Sequence, residues 1–140
     1  MIYTSYFAKL RTLPKNIIPI SICAKTPDWY NGLQYKKLAP KYDFFKKWKE
    51  NHDNDYYIKC FEEQVLGKLD AHEVVRELDS LMTDVVTSID YGFELSCGTP
   101  QFVLICYEKP SDFCHRHLVA KWLNDNGFEC GEWGIDDEKM

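Results

Sequence analysis

Two kinds of hydrophobic pattern alternate along this chain. Short continuous apolar runs occur at Ile17-Ile18-Pro19-Ile20-Ser21-Ile22-Cys23 and at Phe102-Val103-Leu104-Ile105-Cys106-Tyr107. Apolar character without alternation predicts strands covered on both faces, as in a parallel sheet flanked by helices. The β-branched and aromatic stretch from Ile2 to Leu10 predicts an opening strand, and Phe128 to Trp133 a closing one. Pro19 lacks an amide proton, which points to an edge position or a break in pairing. Between these runs the period lengthens to three and four. Leu38, Tyr42, Phe45 and Trp48 form one helical stripe; Tyr57, Phe61, Val65 and Leu69 form a second. Val74, Leu78 and Leu81 form a third, opened by Asp70-x-x-Glu73 in the manner of a capping box. These aromatic stripes read as core. A last helix is expected from about Cys114 to Asn124, with Leu118, Trp122 and Leu123 facing inward and Asn126-Gly127 ending it. Thr26 to Gly32 and Tyr91 to Pro100 have loop chemistry. A strand–helix–strand ending implies a right-handed βαβ unit. The expected fold is a single α/β domain over residues 1–140, with a mostly parallel sheet of about four strands flanked by helices.

Composition narrows the class. At 140 residues, with 45% hydrophobic and 28% charged, the chain can bury one core and is neither disordered nor fibrous. No apolar run approaches the ~18 residues needed to span a bilayer, and Met1-Ile2-Tyr3-Thr4-Ser5 lacks the pattern of a secretory signal, so a cytoplasmic protein without a membrane role is expected. The net charge of −5 argues against a protein that coats nucleic acid. Yet six of the 17 basic residues lie between Lys36 and Lys49, opposed only by Asp43. That local basic face is either the solvated side of a helix or a contact for a small anion or a short stretch of phosphate backbone.

The six cysteines (Cys23, Cys60, Cys97, Cys106, Cys114 and Cys130) contain no C-x-x-C pair. Without an oxidising compartment, a disulfide scaffold is not expected. Cys23 and Cys60 read as small buried hydrophobes, and Cys97 falls in a loop. Reactive side chains instead concentrate between Cys106 and His117, where a strand ends and a helix begins. In open parallel sheets this carboxyl edge is where ligands bind. Ser111 or Asp112 is the expected N-cap, placing Cys114, His115 and Arg116 in the first turn. A thiol there has a lowered pKa, a guanidinium can grip a phosphate or carboxylate, and Glu108 is placed to move a proton.

Three readings of that segment stand side by side. Cys114 is a nucleophile with His115 and Glu108 as proton carriers and Arg116 as anion ligand; or Cys106, Cys114 and one or both of His115 and His117 ligate zinc with Glu108; or the cysteines are core and Arg116 and a histidine tie the loop together through hydrogen bonds. The cysteine spacing lacks a closed four-ligand set, so no metal or cofactor is assigned.

The run Leu104-Ile-Cys-Tyr-Glu-Lys-Pro-Ser-Asp-Phe-Cys-His-Arg-His-Leu-Val119 resembles the signature of the domain-of-unknown-function 488 family. Tyr3-Thr4-Ser5-Tyr6-Phe7, Pro19-Ile20-Ser21-Ile22, Tyr35-Lys36-Lys37-Leu38-Ala39-Pro40 and Phe61 to Leu69 extend the resemblance to nearly the whole chain. It implies an α/β fold. Many members carry Gly-His-Ser where this chain reads Thr4-Ser5-Tyr6, and Asp-Val-Arg where it reads Ser21-Ile22-Cys23, so roles of that histidine and arginine do not transfer. Ser5 and Lys25 remain, because both emerge near the same edge. The expected function is a small cytoplasmic enzyme acting on a phosphate-bearing metabolite or nucleotide. Its catalytic residues would be Cys114, His115 and Glu108, and its binding residues Arg116, His117, Cys106, Ser5 and Lys25. The alternatives are a nucleotide- or nucleic-acid-binding module without catalysis, or a structural metal site; nucleic acid is the less favoured partner.

Overall fold

The computed structural model describes residues 1–87 and 99–134. Five strands form one all-parallel sheet: β1 (Ile2–Tyr6), β2 (Ile17–Ser21), β3 (Leu33–Gln34), β4 (Gln101–Cys106) and β5 (Cys130–Glu132). Their order across the sheet is β3-β2-β4-β1-β5. The most continuously apolar run thus takes the centre. β4 pairs with β1 through Tyr3 to Val103 and onward to Tyr6 with Cys106, and with β2 through Ile17 to Gln101 and onward to Ser21 with Ile105. Val103, Leu104, Ile105 and Cys106 are fully buried.

Pro19 does not mark an edge strand, since β2 lies between β3 and β4. Ser21 gives its carbonyl to Tyr35 N–H on the β3 side, and alternation along the strand turns Pro19 the same way. β3 starts only opposite Ile20, so the missing amide proton of Pro19 faces no strand. The first strand is shorter than its apolar run, because Phe7–Thr12 turns into a 3-10 helix.

Among the described residues four α-helices follow the predicted periodicities with shifted ends: α1 (Tyr42–Asn51), α2 (Asn54–Gln64), α3 (Ala71–Val86) and α4 (His115–Asp125). Leu38 belongs to a separate 3-10 turn, because Pro40 holds Ala39 extended and α1 begins only at Tyr42. The second stripe is divided likewise, with Val65 ending α2 before a 3-10 turn at Leu66–Lys68. Asp70 caps α3 by accepting from His72 N–H at 2.9 Å. α3 and α4 both pack on β4, and α2 packs on α4. Phe61 and Phe44 are the largest aromatic side chains at the centre of this core. Gly127, at φ +90°, lets the chain leave α4 and return to β5. The expected loop from Tyr91 to Pro100, with Cys97, lies outside the described residues except for its last two positions. The acidic stretch beyond Gly134 lies outside them too.

No helix among the described residues is long and apolar enough to cross a membrane.

Candidate active site

All strands run the same way, so their carboxyl ends share one edge, where β2 and β4 deliver Cys23 and Glu108 beside the start of α4. A cavity of about 360 Å³ opens there. Cys23, Lys25, Tyr107, Glu108, Cys114 and His115 line it from the sheet edge and α4. Phe45, Trp48 and Lys49 of α1, Tyr57 of α2, and Phe113 close it from above. The aromatic stripes read as core therefore also wall the site. Phe113 packs between Trp48 and Tyr57, with ring centroids 5.5 and 5.1 Å away.

Those contacts bear on the helix start. Asp112 N–H closes a turn onto the Lys109 carbonyl at 3.0 Å, and the chain stays extended through Cys114. Cys114 itself is thus the N-cap of α4, at φ −156° and ψ 143°, in place of Ser111 or Asp112. Its sulfur makes no full capping hydrogen bond, but it lies at the positive end of the helix.

Cys106, Cys114 and His115 bring their sulfur and ring-nitrogen atoms within 4.8 Å of one another, all buried. His115 Nε2 lies 2.8 Å from the Ile22 carbonyl and 3.4 Å from Cys106 Sγ. A carbonyl only accepts, so Nε2 carries a proton and donates it to Ile22. That contact fixes the ring and leaves the imidazole poised against sulfur.

Electrostatics then select one thiol. Hydrogen bonding from Cys106, the charge and hydrogen bond of His115, and the Arg116 amide outweigh burial and hold Cys114 at about 3. Burial alone would push His115 down; the hydrogen bond and charge of Cys114 outweigh it, so its pKa rises. Cys106 goes the other way, raised by burial and by donating to its neighbours. The same Cys106 proton also favours a Cys23 thiolate, but one proton supports one neighbour at a time. Cys114 has the imidazole and the helix terminus in addition, so the charge resides there. Glu108 is pushed up to about 7 by burial and by the charge of Cys114. Near neutrality a thiolate thus faces a carboxyl group that can hold a proton.

Arg116 requires a correction. Expected to grip an anion, it is fully buried and does not line the cavity. Its Nε and Nη2 donate to the two oxygens of Glu132 at 3.0 and 2.9 Å, and Nη1 donates to the Glu108 carbonyl at 2.6 Å. Thr4 adds a 2.7 Å hydrogen bond to the same carboxylate. Three of its five N–H donors are thereby engaged, and Nη1 holds the backbone of Glu108 in place. Lys25 does line the cavity, with Lys49 opposite, so these two ammonium groups are the cations that a ligand meets. Cys106 lies directly behind the cavity wall. Ser5 and His117 do not line it; Ser5 Oγ and His117 Nε2 are buried without a hydrogen-bond partner among the described residues.

Cys106, Cys114 and His115 have the donor types that suit zinc or another thiophilic cation, with Glu108 alongside as an oxygen donor. Using all three would require Cys106 to lose its proton at a site where burial opposes that loss.

Fold and site together define a parallel α/β domain with a cysteine- and histidine-lined aromatic cavity at its carboxyl edge. Within that class the chain belongs to the DUF488-N3a family, described as the active DUF488-N3 subclade, whose family model matches residues 8–127. The match spans both the sheet and the Cys106–His117 segment. No curated protein and no solved structure matches the chain.

Proposed function

We propose that this protein is a cytoplasmic thiol-dependent enzyme acting on a small phosphate-bearing metabolite, with a nucleotide as the best fit to its cavity. The observation that carries this reading is the meeting of Cys114, His115 and Glu108 at one wall of an aromatic cavity with lysines at two sides. In this reading Cys114 forms a bond to an electrophilic atom of the substrate, and the Glu108 proton goes to the leaving group or to the charge that develops. His115 sustains the thiolate as a positioning partner. Lys25 and Lys49 attract the phosphate, while Phe45, Trp48, Phe113 and Tyr107 offer faces to a planar ring. The five described cysteines are free thiols, which suits a reducing compartment.

A panel of phosphate-bearing metabolites, scored by thermal stability, tests it. A true ligand at 100 times its dissociation constant adds ~2.7 kcal/mol. Nucleotides are expected to raise the melting temperature of the wild type and to slow alkylation of Cys114, both effects weakening in Lys25→Gln/Lys49→Gln. A panel in which no phosphate compound does either would reject the reading.

A further inference from the structure

The lysine-rich segment has a place in the structure that the proposed active site does not use. A second groove, about 490 Å³ in volume, adjoins the first and shares Ala24 and Pro40 with it. Lys36, Lys41 and Lys68 line it without an ion-pair partner among the described residues, and Lys37 is paired with Glu77. Among the described residues no carboxylate lines it. All three lysines are exposed, and they come from two separate segments, the 3-10 turn and loop before α1 and the turn after α2. They are therefore not simply the outer face of one helix.

Exposed aromatic rings accompany this charge. Tyr107, 49% exposed, stands at the mouth of the first cavity and donates its hydroxyl to the Lys25 carbonyl at 2.8 Å. Trp29, 62% exposed, continues that surface through Phe7, whose ring lies 5.0 Å from Tyr107 and 5.9 Å from Trp29. Tyr42, 71% exposed, follows Lys41 beside the second groove. Lysines that track phosphates, interleaved with rings on which bases stack, are the physical means by which proteins hold single strands. One nucleotide fills a single cavity and presents its charge to Lys25 and Lys49. Three further unpaired lysines beyond Pro40 match further phosphates of a chain.

We propose that the substrate is a nucleotide within a single-stranded nucleic acid, its base in the aromatic cavity and its neighbouring phosphates along Lys36, Lys41 and Lys68. This rests on the reading of the Cys114 cavity as a nucleotide site. A duplex would serve less well, since a base must leave its stack, at a cost of a few kcal/mol, to enter a walled cavity. The net charge of −5 is compatible, because the contact involves a few phosphates only.

The test is binding of a fluorescent single-stranded oligonucleotide by the whole protein across a salt series. Four phosphate contacts, one at Lys25 and Lys49 and three along Lys36, Lys41 and Lys68, give a slope of about −2.8 in log affinity against log salt, or about 50-fold weakening between 50 and 200 mM. In Lys36→Gln/Lys68→Gln, both exposed positions, two contacts remain and the same salt change costs about sevenfold. Melting temperatures of the two proteins should agree, excluding a folding defect. A duplex of the same sequence should bind more weakly. Absence of strand binding at low salt, an unchanged slope in the variant, or equal binding of the duplex would each overturn the proposal. So would a nucleoside triphosphate that competes as well as the strand, since the extra phosphates would then be its own. Alkylation of Cys114 in the same samples separates the two readings. Protection by a mononucleotide without strand binding leaves the enzyme reading standing and this one refuted; protection by neither refutes both.

Discussion

The Arg116–Glu132 pair offers a test of how the site is built. Arg116 has no exposure and the Glu132 side chain only 10%, so both charges have left water for each other. Removing one partner of such a pair strands the other, at a cost of about 3–5 kcal/mol. Folded domains have only about 5–15 kcal/mol in all, so Arg116→Met or Glu132→Leu alone should be severely destabilised. For a chain of this length each kcal/mol moves the melting temperature by roughly 3 °C, giving a fall of about 10–15 °C. Replacing both residues together, Arg116→Met with Glu132→Leu, removes the stranded charge and should restore most of the loss. The Glu108 carbonyl, which receives Nη1 at 2.6 Å, still loses its donor in the double variant. Stability should then recover while the alkylation profile of Cys114 stays altered, because the neighbouring carboxyl is no longer held. Calorimetry of the three variants, with alkylation measured beside it, decides. Arg116→Met melting within about 2 °C of wild type, yet losing phosphate protection of Cys114, would refute the structural role and return Arg116 to the ligand.

Further expectations follow from the same geometry. Glu108, held at about 7 and so above its ordinary value, gives the folded state an extra proton between about pH 4.5 and 7; folding stability from this group is full below the lower value and is lost as pH rises through the upper. Glu108→Gln should therefore gain on wild type, in urea unfolding, between pH 5 and pH 8, and a constant difference would contradict the assignment. Gly127→Ala forces a side chain into φ +90° and should cost about 1 kcal/mol in the same assay, although nothing crowds the new Cβ. Elemental analysis of purified protein should return well under one zinc per chain; one tightly held equivalent, lost in Cys114→Ser, would make Cys106, Cys114 and His115 ligands.

How far the sequence reveals this molecule differs between sheet and site. Runs such as Phe102–Cys106 have one physical solution, a strand covered on both faces, and they form it. The order β3-β2-β4-β1-β5 and the shortness of β3 depend on long-range pairing that no local pattern encodes. In α4 the apolar pattern suggested Leu118, Trp122 and Leu123 as the inner face, whereas His115, Arg116, Val119 and Leu123 are the buried set. A buried charge pair is invisible to hydrophobic periodicity, and its partner Glu132 sits in the expected closing strand, where an acidic residue gives no sign of burial. The junction of Cys106 to His117 was legible because reactive side chains cluster where a strand meets a helix. Cys23, Phe45, Trp48 and Tyr57 were not legible as cavity wall, since a residue that packs on one side and lines a pocket on the other has the same spacing as core. Lys49 could have been noticed, being one turn from Phe45 on the same helix.

The central claim is that Cys114 is a thiolate at neutral pH, and its rate of alkylation by iodoacetamide as a function of pH tests it most directly. Peptide mapping resolves Cys114 from the other five cysteines, Cys23, Cys60, Cys97, Cys106 and Cys130. The account predicts that Cys114 labels first and has passed its half-maximal rate well below the free-thiol value of ~8.5, with phosphate slowing it. A Cys114 that labels no faster than the other buried cysteines, with a midpoint at or above ~8.5 and no response to phosphate, would contradict it.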